Sequence, residues 1–285
     1  MESKCMKKIS SGKVRDIYDV DNDHLVIVTS DKISAFDVVM PSLIPNKGII
    51  LNKLSSFWFS FTKDIIPNHM VTEDLSLMPK EFQHKEYEGR TILVDKLSML
   101  PYEFIVRGYM FGSMWESYKV NGKFFEIKFD KSYKLAEKLS EPILTPSRKN
   151  SIGHDENISV EELYRDLGEK LASQIENTCL SLYKKCAEYA YEKGIIIADT
   201  KFEFGLNDNK ELVLADEIFT PDSSRFWDLS TYQLGISPDS YDKQYLRDWL
   251  IQNKLNGVTP APQIPDEIIN KTAEKYQKCL SLIVD

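Results

Sequence analysis

Residues 195–219 read IIIADTKFEFGLNDNKELVLADEIF, and this stretch decides the fold class. Two β-rich runs, 195–204 and 211–219, flank a polar turn at 207–210, which predicts an antiparallel hairpin. Side chains alternate between the faces of a strand, so Asp199, Lys201 and Glu203 share one face and Ala198, Phe202 and Phe204 the other. If Leu206 pairs with Glu211 across a four-residue loop, Leu214 lies opposite Glu203, and Asp216 becomes its diagonal neighbour about 7–8 Å away. A loop one residue different breaks that register. Carboxylates so spaced, with Lys201 between them, suit a magnesium ion, which takes oxygen ligands and brings phosphates with it. A solvated strand face shows the same alternation.

Upstream, Ser159 followed by Glu162 fits a capping box. Leu163, Leu167, Leu171, Ile175, Cys179, Tyr183, Ala187 and Tyr191 then recur at every fourth position, predicting one helix up to Gly194. Nearer the N-terminus, 13–20 and 24–31 are β-rich runs separated by Asp21-Asn22-Asp23, a second hairpin. The apolar stretch 53–65 stops before Pro67 and predicts a helix, and 91–97 predicts a strand. Helices are expected at 241–253 and 265–284. Without repeats or regular βαβ units, this order of elements reads as α+β.

The 285 residues suffice for a large core and about two domains. A hydrophobic share of 42% and a charged share of 28% are those of a globular protein. With 36 basic and 44 acidic residues the net charge is −8, so the overall field repels nucleic acid and anionic membranes, and an anionic substrate needs a local basic pocket. The start MESKCMKKIS lacks an apolar signal core and no run approaches a membrane span, so a cytoplasmic location is expected, with neither nucleic acid nor membrane as partner. Cys5, Cys179, Cys186 and Cys279 show no paired spacing and read as thiols.

Other candidates are individually weaker. A Pro-Asp turn precedes Arg225, and loops beyond sheet ends commonly mount binding residues; an arginine there can fork onto carboxylate or phosphate, or pair with Asp222 or Asp228. Arg107 to Ser113, RGYMFGS, combines donors with two glycines that let backbone approach a phosphate. Ser11-Gly12-Lys13 precedes the first hairpin strand and could cover nucleotide phosphates, although no P-loop or dinucleotide fingerprint is present. His154-Asp155-Glu156 has no HExxH beside it and reads as solvated, and His24, His69 and His84 have no partner motif.

Together six ordered segments resemble the SAICAR synthetase family: GKVRDIYDV (12–20), TSDKISAFDVVMPSLIPNKGIILNKLSSFWF (29–59), VRGYMFGSMWESY (106–118), TPSRKNSIGHDENIS (145–159), ADTKFEFG (198–205) and LADEIFTPDSSRFWD (214–228). The resemblance implies an α+β fold with an N-terminal antiparallel sheet domain like a kinase small lobe (1–103), a second α+β ATP-binding domain (104–233) and C-terminal helices (234–285). It implies ATP-dependent ligation of 5-amino-4-carboxyimidazole ribonucleotide (CAIR) with L-aspartate in purine biosynthesis, with Mg2+ as cofactor and an acyl phosphate as intermediate. Gly12, Lys13 and Arg15 would cover phosphates, Lys96-Leu97 would offer backbone to adenine, and Glu203 and Asp216 would be the metal-side carboxylates. Asp37, Lys47, Gly48, Arg107, Ser113, Lys201 and Arg225 match positions binding the imidazole ribonucleotide, with Lys201 and Arg225 also catalytic. Arg148 stands where the family's Ser-Thr-Lys form has threonine.

A kinase could also use a hairpin and paired acids, but HRD and DFG motifs are missing. A non-catalytic nucleotide sensor would not need metal-side carboxylates together with substrate arginines.

Overall fold

The computed structural model describes residues 7–129, 131–150 and 155–285, so Cys5 and His154 lie outside the described residues. The N-terminal part contributes strands β1 (Lys7–Ser11), β2 (Arg15–Asp19), β3 (His24–Thr29), β4 (Lys32–Ala35) and β5 (Val38–Leu43), helix α1 (Lys47–Phe61), and strands β6 (Met70–Thr72) and β7 (Thr91–Asp95). Next come β8 (Ser98–Met99), β9 (Tyr102–Tyr109), α2 (Gly112–Asn121), β10 (Lys123–Phe124), β11 (Ile127–Lys128), β12 (Lys138–Arg148) and β13 (Glu156–Asn157). Helices α3 (Val160–Leu167) and α4 (Glu169–Glu192), strands β14 (Ile195–Leu206), β15 (Leu212–Ala215) and β16 (Ser224–Asp228), and helices α5 (Gln244–Gln252) and α6 (Asp266–Val284) follow.

The expected α+β class holds. The first sheet is antiparallel in the order β1-β2-β3-β7-β6. The expected β2–β3 turn is closed by Oδ1 of Asp21, which accepts from the N–H groups of Asp23 and His24 at 2.8 Å each. Strand β1 was not expected, and it places Gly12 and Lys13 in the turn between β1 and β2. Strand β7 stops at Asp95, so Lys96-Leu97 links the two sheets, a few residues before the expected boundary after residue 103.

The second sheet runs β13-β12-β9-β14-β15, with β16 and β8 also pairing with β14. Its apolar face packs on α4 through Ile175, Cys179, Leu182 and Cys186, and on α1 and α6 through Trp58, Phe59, Tyr276 and Ile283 in one core. Phe202 and Phe204 are fully buried there, as the alternation along β14 requires.

The capping box is present: the Glu162 N–H donates to Oγ of Ser159 at 3.1 Å, and the Ser159 N–H donates to the Glu162 carboxylate at 2.9 Å. The single helix expected up to Gly194 is two, however. Gly168 adopts φ 77°, ψ 156° and ends α3. The fourfold spacing survives the break because both helices cover the same core. The helix expected at 53–65 begins earlier, at Lys47, and ends at Phe61. It carries no side-chain cap of its own; instead the Gly48 N–H donates to Oδ1 of Asp31 at 2.8 Å, a partner local sequence does not reveal.

The β14–β15 hairpin forms, but its register differs by one: Leu206 pairs with Leu212 and Glu203 with Ala215. Oδ1 of Asn207 accepts from the N–H groups of Asn209 and Glu211, closing a connection one residue longer than expected. By strict alternation Asp216 would then face away from Glu203. It returns to the ionised face because its backbone turns left-handed at φ 59°.

At Gly108, a Cβ would sit 1.9 Å from the Tyr183 hydroxyl oxygen and 2.7 Å from its Cζ. That hydroxyl donates to the Ile197 carbonyl at 2.6 Å. Gly108→Ala should therefore cost about 1–3 kcal/mol by overpacking, measured by urea unfolding, and adding Tyr183→Phe should recover part of it. Wild-type stability of the single variant would mean that Tyr183 can step aside.

Candidate active site

Register along β14 assembles the site. Asp199 lies opposite Arg107 of β9 on one side and Arg225 of β16 on the other, so one carboxylate stands between two guanidiniums. Nη1 of Arg225 donates to Oδ2 of Asp199, and Nη1 of Arg107 is 3.8 Å from the same oxygen. Nε of Arg107 donates to Oγ1 of Thr145 at 3.0 Å. A register shift between Ile197 and Asp199 inserts Ala198 into the β14–β16 ladder, the local kink that re-aims side chains at functional sites. Both arginines sit on strands, Arg225 not on the loop expected for it, and Arg225 pairs with neither Asp222 nor Asp228. Gly112, at φ 59°, lets the backbone pass so close to Arg225 that a Cβ would lie 2.7 Å from its Nη2.

Two residues along β14, Nζ of Lys201 donates to Glu203 at 2.8 Å and to Glu103 at 2.9 Å, and lies 3.6 Å from Asp216. Lys149 adds a second ammonium to Glu203. Arg15 reaches across from the first sheet to Asp216 at 2.6 Å and to Glu217. Asp199 and Glu203 are buried, so this face is no solvated strand surface.

The charges set one another. Burial opposes the Lys201 ammonium, but Asp216, Glu203 and Glu103 outweigh it and hold the group well above the usual lysine range. Burial likewise pushes Asp216 up, while Arg15 and Lys201 prevail and hold it well below the usual carboxylate range. Glu203 is raised by burial and by the negative charge of Asp216. Burial pulls Arg107 down to about 10, against the attraction of Asp199.

Arg107, Ser113, Asp199, Lys201 and Arg225 line a cleft of about 190 Å³ together with Asp222, Lys243 and Arg247. It adjoins a cavity of about 740 Å³ that shares Arg225, Lys243 and Arg247 and is also lined by Lys13, Asp37, Phe111 and Trp115. Nζ of Lys13 pairs with Asp37 at the mouth. Lys47 is fully buried, its Nζ 2.7 Å from Asp222, and Gly48 lies against the Thr29 carbonyl, 2.4 Å from where a Cβ would stand. Gly12 donates its N–H to the Arg15 carbonyl at 2.7 Å. Lys96 pairs with Asp19 at 2.6 Å and donates its backbone N–H to Asp23, while Leu97 packs on Gly205; neither lines the two cavities.

Sequence patterns missed Lys243 and Arg247, whose spacing of four on a predicted helix puts them on one face. They also missed Asp222, Glu103, Glu217 and Lys149, brought in by contacts distant along the chain. Of the 155–156 pair next to His154, Glu156 lies 3.8 Å from Arg148, and no group of three metal-ligating side chains occurs among the described residues. Arg148 pairs with Asp166 of α3.

His69, without a motif, is buried against the hairpin, and its Nε2–H donates to the Asp216 carbonyl at 3.3 Å. Burial lowers its pKa to about 4. In the unfolded chain His69 takes up its proton near 6.5, and in the folded one near 4, so stability is full above 6.5 and falls as acid is added through that window. The loss should approach roughly 3 kcal/mol. His69→Gln should flatten this limb in urea unfolding at pH 7.5, 6 and 4.5; an unaltered slope would reject the assignment.

The comparisons with known proteins point one way. The SAICAR synthetase family model matches residues 8–263. A phosphoribosylaminoimidazole-succinocarboxamide synthase of Lachnospira eligens is 52% identical over 95% of this chain and 93% of its own. That of Maridesulfovibrio salexigens is 49% identical over 98% and 94%. Among solved structures, a Saccharomyces cerevisiae SAICAR synthase complexed with SAICAR superposes with TM-score 0.90 at 43% identity, covering 99% of this chain and 96% of that one. A type-2 SAICAR synthetase in complex with ADP gives 0.71 at 25% identity, covering 96% and 97%. With a matching family model over most of its length and close relatives over nearly all of it, this chain belongs to the SAICAR synthetase family of ligases.

Proposed function

We propose that the chain joins the carboxylate of CAIR to the amine of L-aspartate through an acyl phosphate, with ATP giving ADP and phosphate. The observation that carries this reading is the convergence of Arg107 and Arg225, on either side of Asp199, with Lys201 on one small cleft. A substrate bearing both a carboxylate and a phosphate needs several fixed cations, and guanidiniums bind both anions in a bidentate way. The SAICAR complex of the yeast relative and the ADP complex of the type-2 relative support the substrates named.

A carboxylate is a poor electrophile. Its oxygen attacks the γ-phosphorus of ATP, the bond to ADP breaks, and a mixed anhydride forms; the amine then attacks the carbonyl carbon, phosphate leaves with one carboxylate oxygen, and the amine proton is released. Two anions must approach each other in the first step, so the fixed charges of Arg107, Arg225 and Lys201 lower its barrier by positioning and neutralisation. In this reading Lys201 and Arg225 touch the reacting carboxylate, with Asp37, Lys47, Gly48 and Ser113 shaping the ribonucleotide site. The Gly12-Lys13 turn and Arg15 cover the nucleotide, and the Lys96-Leu97 link offers it backbone.

Magnesium fits the oxygen donors Glu203 and Asp216, close enough for the charge of one to raise the other's pKa. One or two carboxylates plus nucleotide phosphates are the usual magnesium environment. Bound there, the ion would neutralise phosphate charge. Residues 1–103 then form the nucleotide-covering part, 104–233 the catalytic part and 234–285 the closing helices. The same reading makes it a cytoplasmic enzyme of small molecules, without nucleic-acid or membrane partners.

ADP release should require CAIR and L-aspartate together. Turnover of CAIR labelled with oxygen-18 in its carboxylate should place label in the phosphate, detected by mass spectrometry; unlabelled phosphate would defeat the anhydride route, and release with a single acceptor would favour a kinase. Separately, Arg107→Ala and Arg225→Ala should each weaken CAIR binding by about 1.5–3 kcal/mol through loss of charge-assisted hydrogen bonds. An unchanged apparent affinity in both variants would refute substrate contacts there.

A further inference from the structure

Helix α6 lies beyond the residues 8–263 matched by the family model, yet one of its side chains joins the polar network of the cleft. Tyr276 is fully buried, and its hydroxyl donates to Oδ1 of Asp222 at 2.7 Å. The other oxygen, Oδ2, accepts from Nζ of Lys47 at 2.7 Å. Nζ of Lys243 stands 3.9 Å from Oδ1, beyond hydrogen-bond range. Asp222 and Lys243 line the cleft with Arg107 and Arg225, whereas Tyr276 and Lys47 lie behind it.

One carboxylate thus has two lysines beside it and one hydroxyl on it. The terminal torsion of an aspartate is soft, so a carboxylate free to turn could bring Oδ1 into hydrogen-bond range of Lys243. With Oδ1 held by Tyr276 and Oδ2 by Lys47, the carboxylate is fixed in an orientation that leaves Lys243 at ion-pair distance without a hydrogen bond, and its N–H donors face the cleft that it lines. We propose that Tyr276 is a positioning residue for the ligase reaction: by fixing Asp222 it keeps the N–H donors of Lys243 off that carboxylate and available to an anionic substrate. This rests on the reading of the cleft as the CAIR site.

Tyr276→Phe retains the ring and removes the hydroxyl. Losing one ammonium contact of ordinary strength should raise KM for CAIR about tenfold, leave kcat at saturation nearly unchanged, as expected when only ground-state binding is lost, and leave KM for ATP unchanged. Tyr276→Met, the second variant, should do the same. Because Tyr276 acts through Lys243, the double variant Tyr276→Phe/Lys243→Ala should bind CAIR no worse than Lys243→Ala alone. Cys279→Ala, buried on the same helix, disturbs α6 without removing the hydroxyl and should leave KM for CAIR at its wild-type value. If Lys243→Ala raises KM but Tyr276→Phe does not, or if Cys279→Ala raises it equally, the positioning role is overturned. An unchanged KM in Lys243→Ala itself would instead strike at the reading of the cleft.

Discussion

The carboxylate of Asp199, set between Arg107 and Arg225 on three neighbouring strands, is the contact on which the site depends. Two guanidiniums cannot be brought together in a largely buried sheet unless an anion separates them, because like charges in a poorly solvated place repel strongly. Asp199 supplies that anion from the strand between. Its own position follows from period-two alternation, which also puts Lys201 and Glu203 on the same face while Phe202 and Phe204 fill the core behind. One twelve-residue strand therefore carries both the centre of the core and the ionised face that lines the cleft.

Such a network is a poor source of stability. Desolvating so many charges offsets much of what their attraction returns. Its worth lies in preorganisation: Asp216, Glu203 and Glu103 hold Lys201 deep in its charged form, and Arg15 and Lys201 hold Asp216 in its own, so these fixed charges do not depend on pH near neutrality.

Much of the fold was legible because its signals are local. The Ser159–Glu162 capping box, the Asp21–Asp23 turn and the alternation of 198–204 each fix a backbone state from adjacent residues. What escaped depends on distant partners or on a single dihedral. The start of α1 is set by Asp31, outside the helix, and the end of α3 by the positive φ of one glycine within an unbroken hydrophobic period. The hairpin register turned on whether Asn207 would close a loop one residue longer. The alternation put the ionised side chains on one face as the structure has them, but Asp216 joins that face for a different reason, a left-handed residue rather than a diagonal pair. Arg225 looked like a loop residue because a Pro-Asp turn adjoins it in sequence; only the pairing of its strand and that of Arg107 with β14 reveals their common partner.

The two ends of the site differ in charge balance. At the hairpin end, Arg15, Lys149 and Lys201 face Glu103, Glu203, Asp216 and Glu217, so acids slightly exceed bases. At the other end Lys47 and Lys243 flank Asp222 while Arg247 acts on the buried Asp242, so three bases face two acids and the balance is reversed. A polyphosphate entering the first end unaccompanied would meet net repulsion; arriving with a divalent cation, it brings the positive charge that end lacks. A ribonucleotide carrying phosphate and carboxylate needs no such escort at the second end, where the surplus cations are part of the chain. Asp199 and its two arginines lie between, where under the proposed mechanism the two kinds of anion would meet for a carboxylate oxygen to reach phosphorus. On that reading the gradient of charge along the cleft would order the substrates by whether they bring their own counter-ion, without any residue having to distinguish one phosphate from another.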